Sequence, residues 1–85
     1  MIEFTHTVND PNGMHARPAG LLVKEASRFE SEIMIHNGDK SASAKKLIAL
    51  MSLAVKCGTV ILVTVVGPDE KEAADHLECY LKAHV

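Results

Sequence analysis

An α+β open-faced sandwich, with four antiparallel strands and three helices on one face, is the fold this sequence predicts. Three observations carry that reading. The elements run in the order β-α-β-β-α-β-α, the connections are too short for a parallel doubly wound sheet, and each helical segment has an apolar side that a sheet face would bury. At 85 residues the chain is expected to form a single domain over 1–85. A domain of this size buries roughly 60% of the surface of its unfolded chain, and a hydrophobic content of 47% supplies one core without staples.

The elements follow in order. Ile2 to Val8 alternates apolar and polar residues and reads as a strand. The turn-forming run Asn9-Asp10-Pro11-Asn12-Gly13 ends it. A helix is expected from about Ala16 to Arg28, because Leu21, Leu22, Val23, Ala26 and Phe29 find partners three and four residues apart. Ile33 to His36 is a short strand. Asn37-Gly38 is the strongest hairpin signal in the chain, with Lys40 to Ser43 as the return strand. Ser43 is expected to cap a second, short helix whose apolar side is Leu47, Ile48, Leu50 and Met51, closed by Lys56-Cys57-Gly58. Thr59 to Val66 is rich in β-branched residues and almost continuously apolar, which suits a central strand. Pro68 or Asp69 starts the last helix. Asp69, Glu70 and Glu72 in its first turn complement the helix dipole, and Ala73, Ala74, Leu77, Tyr80 and Leu81 form its buried stripe.

Composition excludes several functions. Nine basic against eleven acidic residues leave a net charge of −2, which argues against a general nucleic-acid binder. No apolar run is long enough to span a bilayer, so no membrane insertion is expected. Met1-Ile2-Glu3-Phe4-Thr5 lacks the basic and apolar regions of a signal peptide, and the expected location is the cytoplasm. Cys57 and Cys79 form no metal or redox motif and read as free thiols. His6, His36, His76 and His84 have no metal-ligand spacing. Neither a metal nor a cofactor is expected.

The most informative segment is Gly13-Met14-His15-Ala16-Arg17-Pro18-Ala19. Pro18 suits the first turn of a helix, where its missing N–H costs little and its fixed φ is already helical. His15 therefore falls at or beside the N-cap, where orphan N–H groups and the positive end of the macrodipole meet. A dianion on His15 would be held by those N–H groups and by the Arg17 guanidinium. A histidine in that setting can carry a phosphoryl group. The imidazole must be neutral to attack, and both the helix end and Arg17 favour the neutral ring.

The element order and Asn12-Gly13-Met14-His15-Ala16-Arg17-Pro18-Ala19 closely resemble the HPr phosphocarrier family of the phosphoenolpyruvate-dependent sugar phosphotransferase system. A second block matches in register, Lys40-Ser41-Ala42-Ser43-Ala44-Lys45 followed by Leu47-Ile48-Ala49-Leu50-Met51-Ser52-Leu53 and ending at Gly58. The resemblance covers essentially the whole chain. It implies that enzyme I, phosphorylated by phosphoenolpyruvate, donates a phosphoryl group to Nδ1 of His15, which passes it to the IIA component of a sugar permease. It further implies that Arg17 neutralises the phosphoryl oxygens, that the backbone N–H groups of Ala16 and Arg17 bind them, and that Asn12 orients the ring. The protein would then be a carrier, not an enzyme, and a monomer.

Both partners are implied to dock on one face that includes Leu47, Ile48 and Met51. A short helix cannot bury residues on every side, so some of this set should be exposed. Gly20 is out of place in a helix interior, where it costs about 1 kcal/mol relative to alanine, and it is read as a point of close approach for a partner. One departure from many relatives is Lys46, which stands where they carry a regulatory serine just ahead of the second helix. A lysine cannot accept a phosphoryl group from a serine kinase. A regulatory module that keeps this fold and acts by binding is the alternative, and the presence of His15 and Lys46 favours the carrier.

Overall fold

The structure is a computed structural model and describes residues 1–11, 13 and 16–85. Its elements are β1 (Ile2–Thr7), α1 (Ala16–Ala26), β2 (Glu32–Asn37), β3 (Lys40–Ser43), α2 (Leu47–Ser52), β4 (Val60–Val66) and α3 (Glu70–His84). The order is the expected one, and the strands form an antiparallel four-stranded sheet in the order β1-β4-β2-β3. The apolar run of β4 is explained by its place, since it hydrogen-bonds on both sides.

Strand register puts the core on one face. Ile2, Val65 and Ile33 lie in one row across the sheet; Phe4, Val63, Ile35 and Ala42 lie in the next; His6 and Ile61 lie in a third. Because side chains alternate along each strand, all of these point the same way. The residues they meet are Ala19, Leu22 and Ala26 of α1, Leu50 of α2 and Ala73, Ala74, Leu77 and Leu81 of α3, all buried. The opposite face carries Thr5, Leu62, His36 and Ser41 in one row and Glu3, Thr64, Met34 and Ser43 in another. There His36 Nε2 pairs with Thr64 Oγ1 at 3.1 Å.

Several local expectations shift. Helix α1 stops at Ala26, two residues early, and Leu21 of its apolar run is 49% exposed. The hairpin tip is Gly38-Asp39, one residue beyond the expected pair, because Asn37 pairs with Lys40 as the last residue of β2. Gly38 at φ +63° takes the left-handed position of that turn. The Asn37 amide instead donates to the carbonyl of Leu53 at 2.9 Å, satisfying a carbonyl at the end of α2. Ser43 does not cap α2. It ends β3, and its hydroxyl accepts the Lys45 N–H, while Lys46 is the N-cap residue and makes no side-chain cap bond. Helix α2 also closes at Ser52, well before Lys56-Cys57-Gly58, which belong to the loop leading to β4.

Asp69 is the N-cap of α3, but its carboxylate serves a different contact from the expected one with the dipole. It accepts from the N–H groups of Glu30 and Ser31, both at 2.9 Å, and from the Ser31 hydroxyl. The Ser31 hydroxyl first, and then the Glu30 N–H, hold this carboxyl below its ordinary range. Tyr80, expected in the buried stripe, is only partly buried.

Candidate functional site

Helix α1 begins at Ala16, immediately after His15 in the sequence. Ala16 and Arg17 therefore occupy its first turn, where backbone N–H groups have no intrahelical acceptor, and both side chains are exposed. Pro18 lies in the same turn and is buried, as its fixed φ and missing N–H suit. No acidic residue occupies that turn to compete for the N–H groups. Asn12, Met14 and His15 lie outside the described residues.

The strand-to-helix segment is fastened to two other parts of the chain. Val8 donates to Thr59 O at 2.9 Å and accepts from Gly58 N at 2.7 Å, so β1 pairs on into the loop before β4. Asn9 and Asp10 both donate backbone N–H groups to Val85 O, at 2.6 and 2.9 Å. The Cys57 thiol lies 3.8 Å from Asn9 O. Gly13 is buried, has φ +68° and donates to Asp10 O at 2.9 Å. A Cβ on Gly13 would fall 2.3 Å from Val55 O and 2.7 Å from Lys56 Cα. The backbone of Val55 and Lys56, beyond α2, thus lies close against Gly13.

Helix α2 presents the apolar face. Leu50 alone of its large residues is buried, while Leu47, Met51 and Ile48 are exposed, Ile48 to 76%. Exposure of all three agrees with the expectation that a helix this short leaves some of them outside. Helix α1 packs against α2, and the Lys45 ammonium donates to Phe29 O at 2.7 Å, tying the approach to α2 to the turn after α1. Gly20, on α1, has open space where a Cβ would stand. Lys46 is exposed at the start of α2.

The sequence reading grouped Leu21 with the apolar run of α1 without separating it as exposed, and gave no sign of the Ala54–Lys56 backbone. Ala54 has φ +53°, a left-handed conformation in which an L side chain is strained. An alanine gives no signal of that. The signal for Leu21 was available in principle: it is adjacent to Leu22, and neighbouring residues on a helix face about 100° apart.

Of the histidines passed over in the sequence, His6 is buried on the helix-facing side of β1, and its Nε2 has no hydrogen-bond partner among the described residues. Burial, and then the nearby Lys82 charge, hold this imidazole below its ordinary value. His76 Nε2 meets Glu25 Oε1 at 2.7 Å, joining α3 to α1. That hydrogen bond is the first cause holding the Glu25 carboxyl below its ordinary range. Neither lies on the face formed by α2. Among the described residues no group of acidic, histidine and cysteine side chains could hold a metal ion, and no helix is long and apolar enough to cross a membrane.

The family model described as the PTS HPr component phosphorylation site matches residues 2–83. The phosphocarrier protein HPr of Haemophilus influenzae is 50% identical over 66 residues, covering 78% of each chain. HPr-C-His from Thermoanaerobacter tengcongensis superposes with a TM-score of 0.93 at 37% identity, over 98% of this chain and 93% of that one. Crh of Bacillus subtilis, a catabolite-repression protein whose structure is a domain-swapping dimer, superposes with a TM-score of 0.79 at 39% identity, over 100% of this chain and 98% of that one. The chain belongs to the HPr family, the phosphocarriers of the sugar phosphotransferase system.

Proposed function

We propose that this chain accepts a phosphoryl group on His15 from phosphorylated enzyme I and passes it to the IIA component of a sugar permease. The observation that carries the reading is the start of α1 at Ala16, which sets two N–H groups without an intrahelical acceptor and the Arg17 guanidinium directly after the acceptor in the sequence. In the first transfer a P–N bond to the His15 imidazole forms as the bond to enzyme I breaks; in the second that P–N bond breaks as the bond to the IIA acceptor forms, and in both charge spreads over the phosphoryl oxygens in a loose transition state. Backbone N–H groups and one arginine neutralise that charge without trapping the group. Asn12 orients the ring in this reading. No substrate is turned over, so the protein acts as a carrier and not as a catalyst, and a cytoplasmic monomer suits that role.

Enzyme I and the IIA component use one face, made of Leu47, Ile48 and Met51 with Gly20 beside them. Two partners sharing a face favour an apolar, adaptable surface, for which a methionine is suited. The regulatory reading finds little support, because His15 is present and Lys46 offers no hydroxyl to a serine kinase. Incubation with enzyme I and phosphoenolpyruvate, followed by mapping of the acid-labile phosphate, tests the proposal. Phosphate on His15 and none on a His15→Ala variant is the expected result; full labelling of that variant overturns it.

A further inference from the structure

We propose that Gly13 is a positioning residue for phosphoryl transfer, seating the segment that carries the acceptor on the backbone of Val55 and Lys56. The loop between α2 and β4 would thereby fix where the segment lies. The inference rests on the reading of His15 as the acceptor.

The segment is held on both sides. Upstream, Val8 pairs with Gly58 and Thr59, and Asn9 and Asp10 share the Val85 carbonyl; downstream, α1 begins at Ala16. Between these anchors Gly13 lies so near the supporting loop that an added Cβ would collide with Val55 and Lys56, and what it would meet is backbone, which cannot swing away as a flexible side chain can. Gly13 is two residues from His15, so a displacement here would carry into the acceptor. Transfer between nitrogen atoms through an in-line transition state is sensitive to such displacement, with a misplacement of about 1 Å costing roughly a hundredfold in rate. A carrier that serves two different partners also gains if its own chain sets the geometry, since the partners need not then each impose it.

Gly38 provides the control. Its φ of +63° nearly equals the +68° of Gly13, so alanine meets the same backbone strain at either position. At Gly38, however, a Cβ has nothing within 4 Å. Gly13→Ala and Gly38→Ala should therefore share a loss of thermal stability from the positive φ, and only Gly13→Ala should disturb transfer. Measured against phosphorylated enzyme I in single turnover, Gly13→Ala is expected to transfer about tenfold more slowly or worse, while its Kd for enzyme I stays within about twofold of the parent. Gly38→Ala should match the parent in both. A Gly13→Ala rate equal to that of Gly38→Ala overturns the proposal.

A second measurement needs no variant. Phosphorylation of the parent should shift the backbone amide resonances of Val55 and Lys56 and leave those of Gly38 and Asp39 in place. Unmoved Val55 and Lys56 amides overturn the proposal even if Gly13→Ala does not fold. If the parent is phosphorylated on His15 but either result is negative, this inference alone fails. If the parent takes no phosphate on His15, the acceptor reading fails and takes the inference with it.

Discussion

Helices α2 and α3 use apolar residues in opposite ways. Over its fifteen residues α3 turns Ala73, Ala74, Leu77 and Leu81 inward, and exposes acids such as Glu72 and Asp75. In its six residues α2 buries Leu50 and leaves Leu47, Ile48 and Met51 at the surface. Helix α3 is long enough to complete a stripe over β1 and β4, and burying that stripe is what stabilises it. Helix α2 is a turn and a half, and packing accounts for only one of its large side chains. Its start and end are fastened from outside, by Lys45 to Phe29 O and by Asn37 to Leu53 O. The apolar residues of α3 thus hold the fold, whereas α2 leaves Leu47, Ile48 and Met51 at the surface, where the proposed function has partners dock.

The sharpest way to break this contrast is to change one residue in each helix. Leu77 is 1% exposed, and Leu77→Ala is expected to cost about 2–5 kcal/mol from lost transfer energy and the cavity left behind. Chemical denaturation with a two-state fit measures it. Ile48→Glu should alter stability by no more than about 0.5 kcal/mol and weaken binding to enzyme I by about tenfold or more, as removing a central apolar anchor does. Calorimetric titration, with circular dichroism as the folding control, separates the two. If Ile48→Glu unfolds the protein, or leaves binding intact, the division of labour between α2 and α3 is wrong.

Gly20 sharpens the contrast on α1, which packs against α2. A glycine in a helix interior costs about 1 kcal/mol relative to alanine, and here alanine would meet nothing, since no heavy atom lies within 4 Å of the added Cβ. Gly20→Ala should accordingly stabilise the fold by about 1 kcal/mol, seen as a raised denaturation midpoint. If the open space receives a partner, the same variant should bind enzyme I more weakly. A stabilised variant with unchanged affinity removes Gly20 from the docking surface.

Much of this was legible in the sequence, and what was not has physical causes. Element order, the central place of β4 and the exposure on α2 follow from periodicity and length, which act over many residues at once. The end of α2 was misread because Leu53 and Val55 continue an apolar pattern that looks helical, yet both are buried in the loop that follows. Ser43 has the right chemistry for an N-cap, but its place in β3, opposite Met34, leaves the cap to Lys46. Asp69 shows the same limit. It sits where a helix dipole favours an acid, but its stronger partners, Glu30 and Ser31, are thirty-nine and thirty-eight residues away in the chain. At the candidate site, the start of α1 could be read from Pro18, whereas the support under Gly13 depends on Val55 and Lys56, brought there only by the completed sheet.

The smallest expected effect concerns the seal that α3 makes over β1. His6 lies on the face that α3 covers, buried with Nε2 unpartnered among the described residues, and both its burial and Lys82 of α3 disfavour the imidazolium. The sign follows from linkage. Above the ordinary imidazole value of about 6.5 the ring is neutral in both the folded and unfolded chain, and its titration has no effect on stability. As pH falls below that value the unfolded chain takes up the proton first, so stability declines until the depressed folded value is passed and then levels. Urea unfolding measured from about pH 7 to about pH 5 should show this decline in the parent, and His6→Leu should flatten it. Ile48→Glu should keep the parent's slope in this window, because α2 does not cover His6 and a surface carboxylate titrates near 4.3. An equal slope in the parent and His6→Leu would show that α3 does not hold His6 away from water.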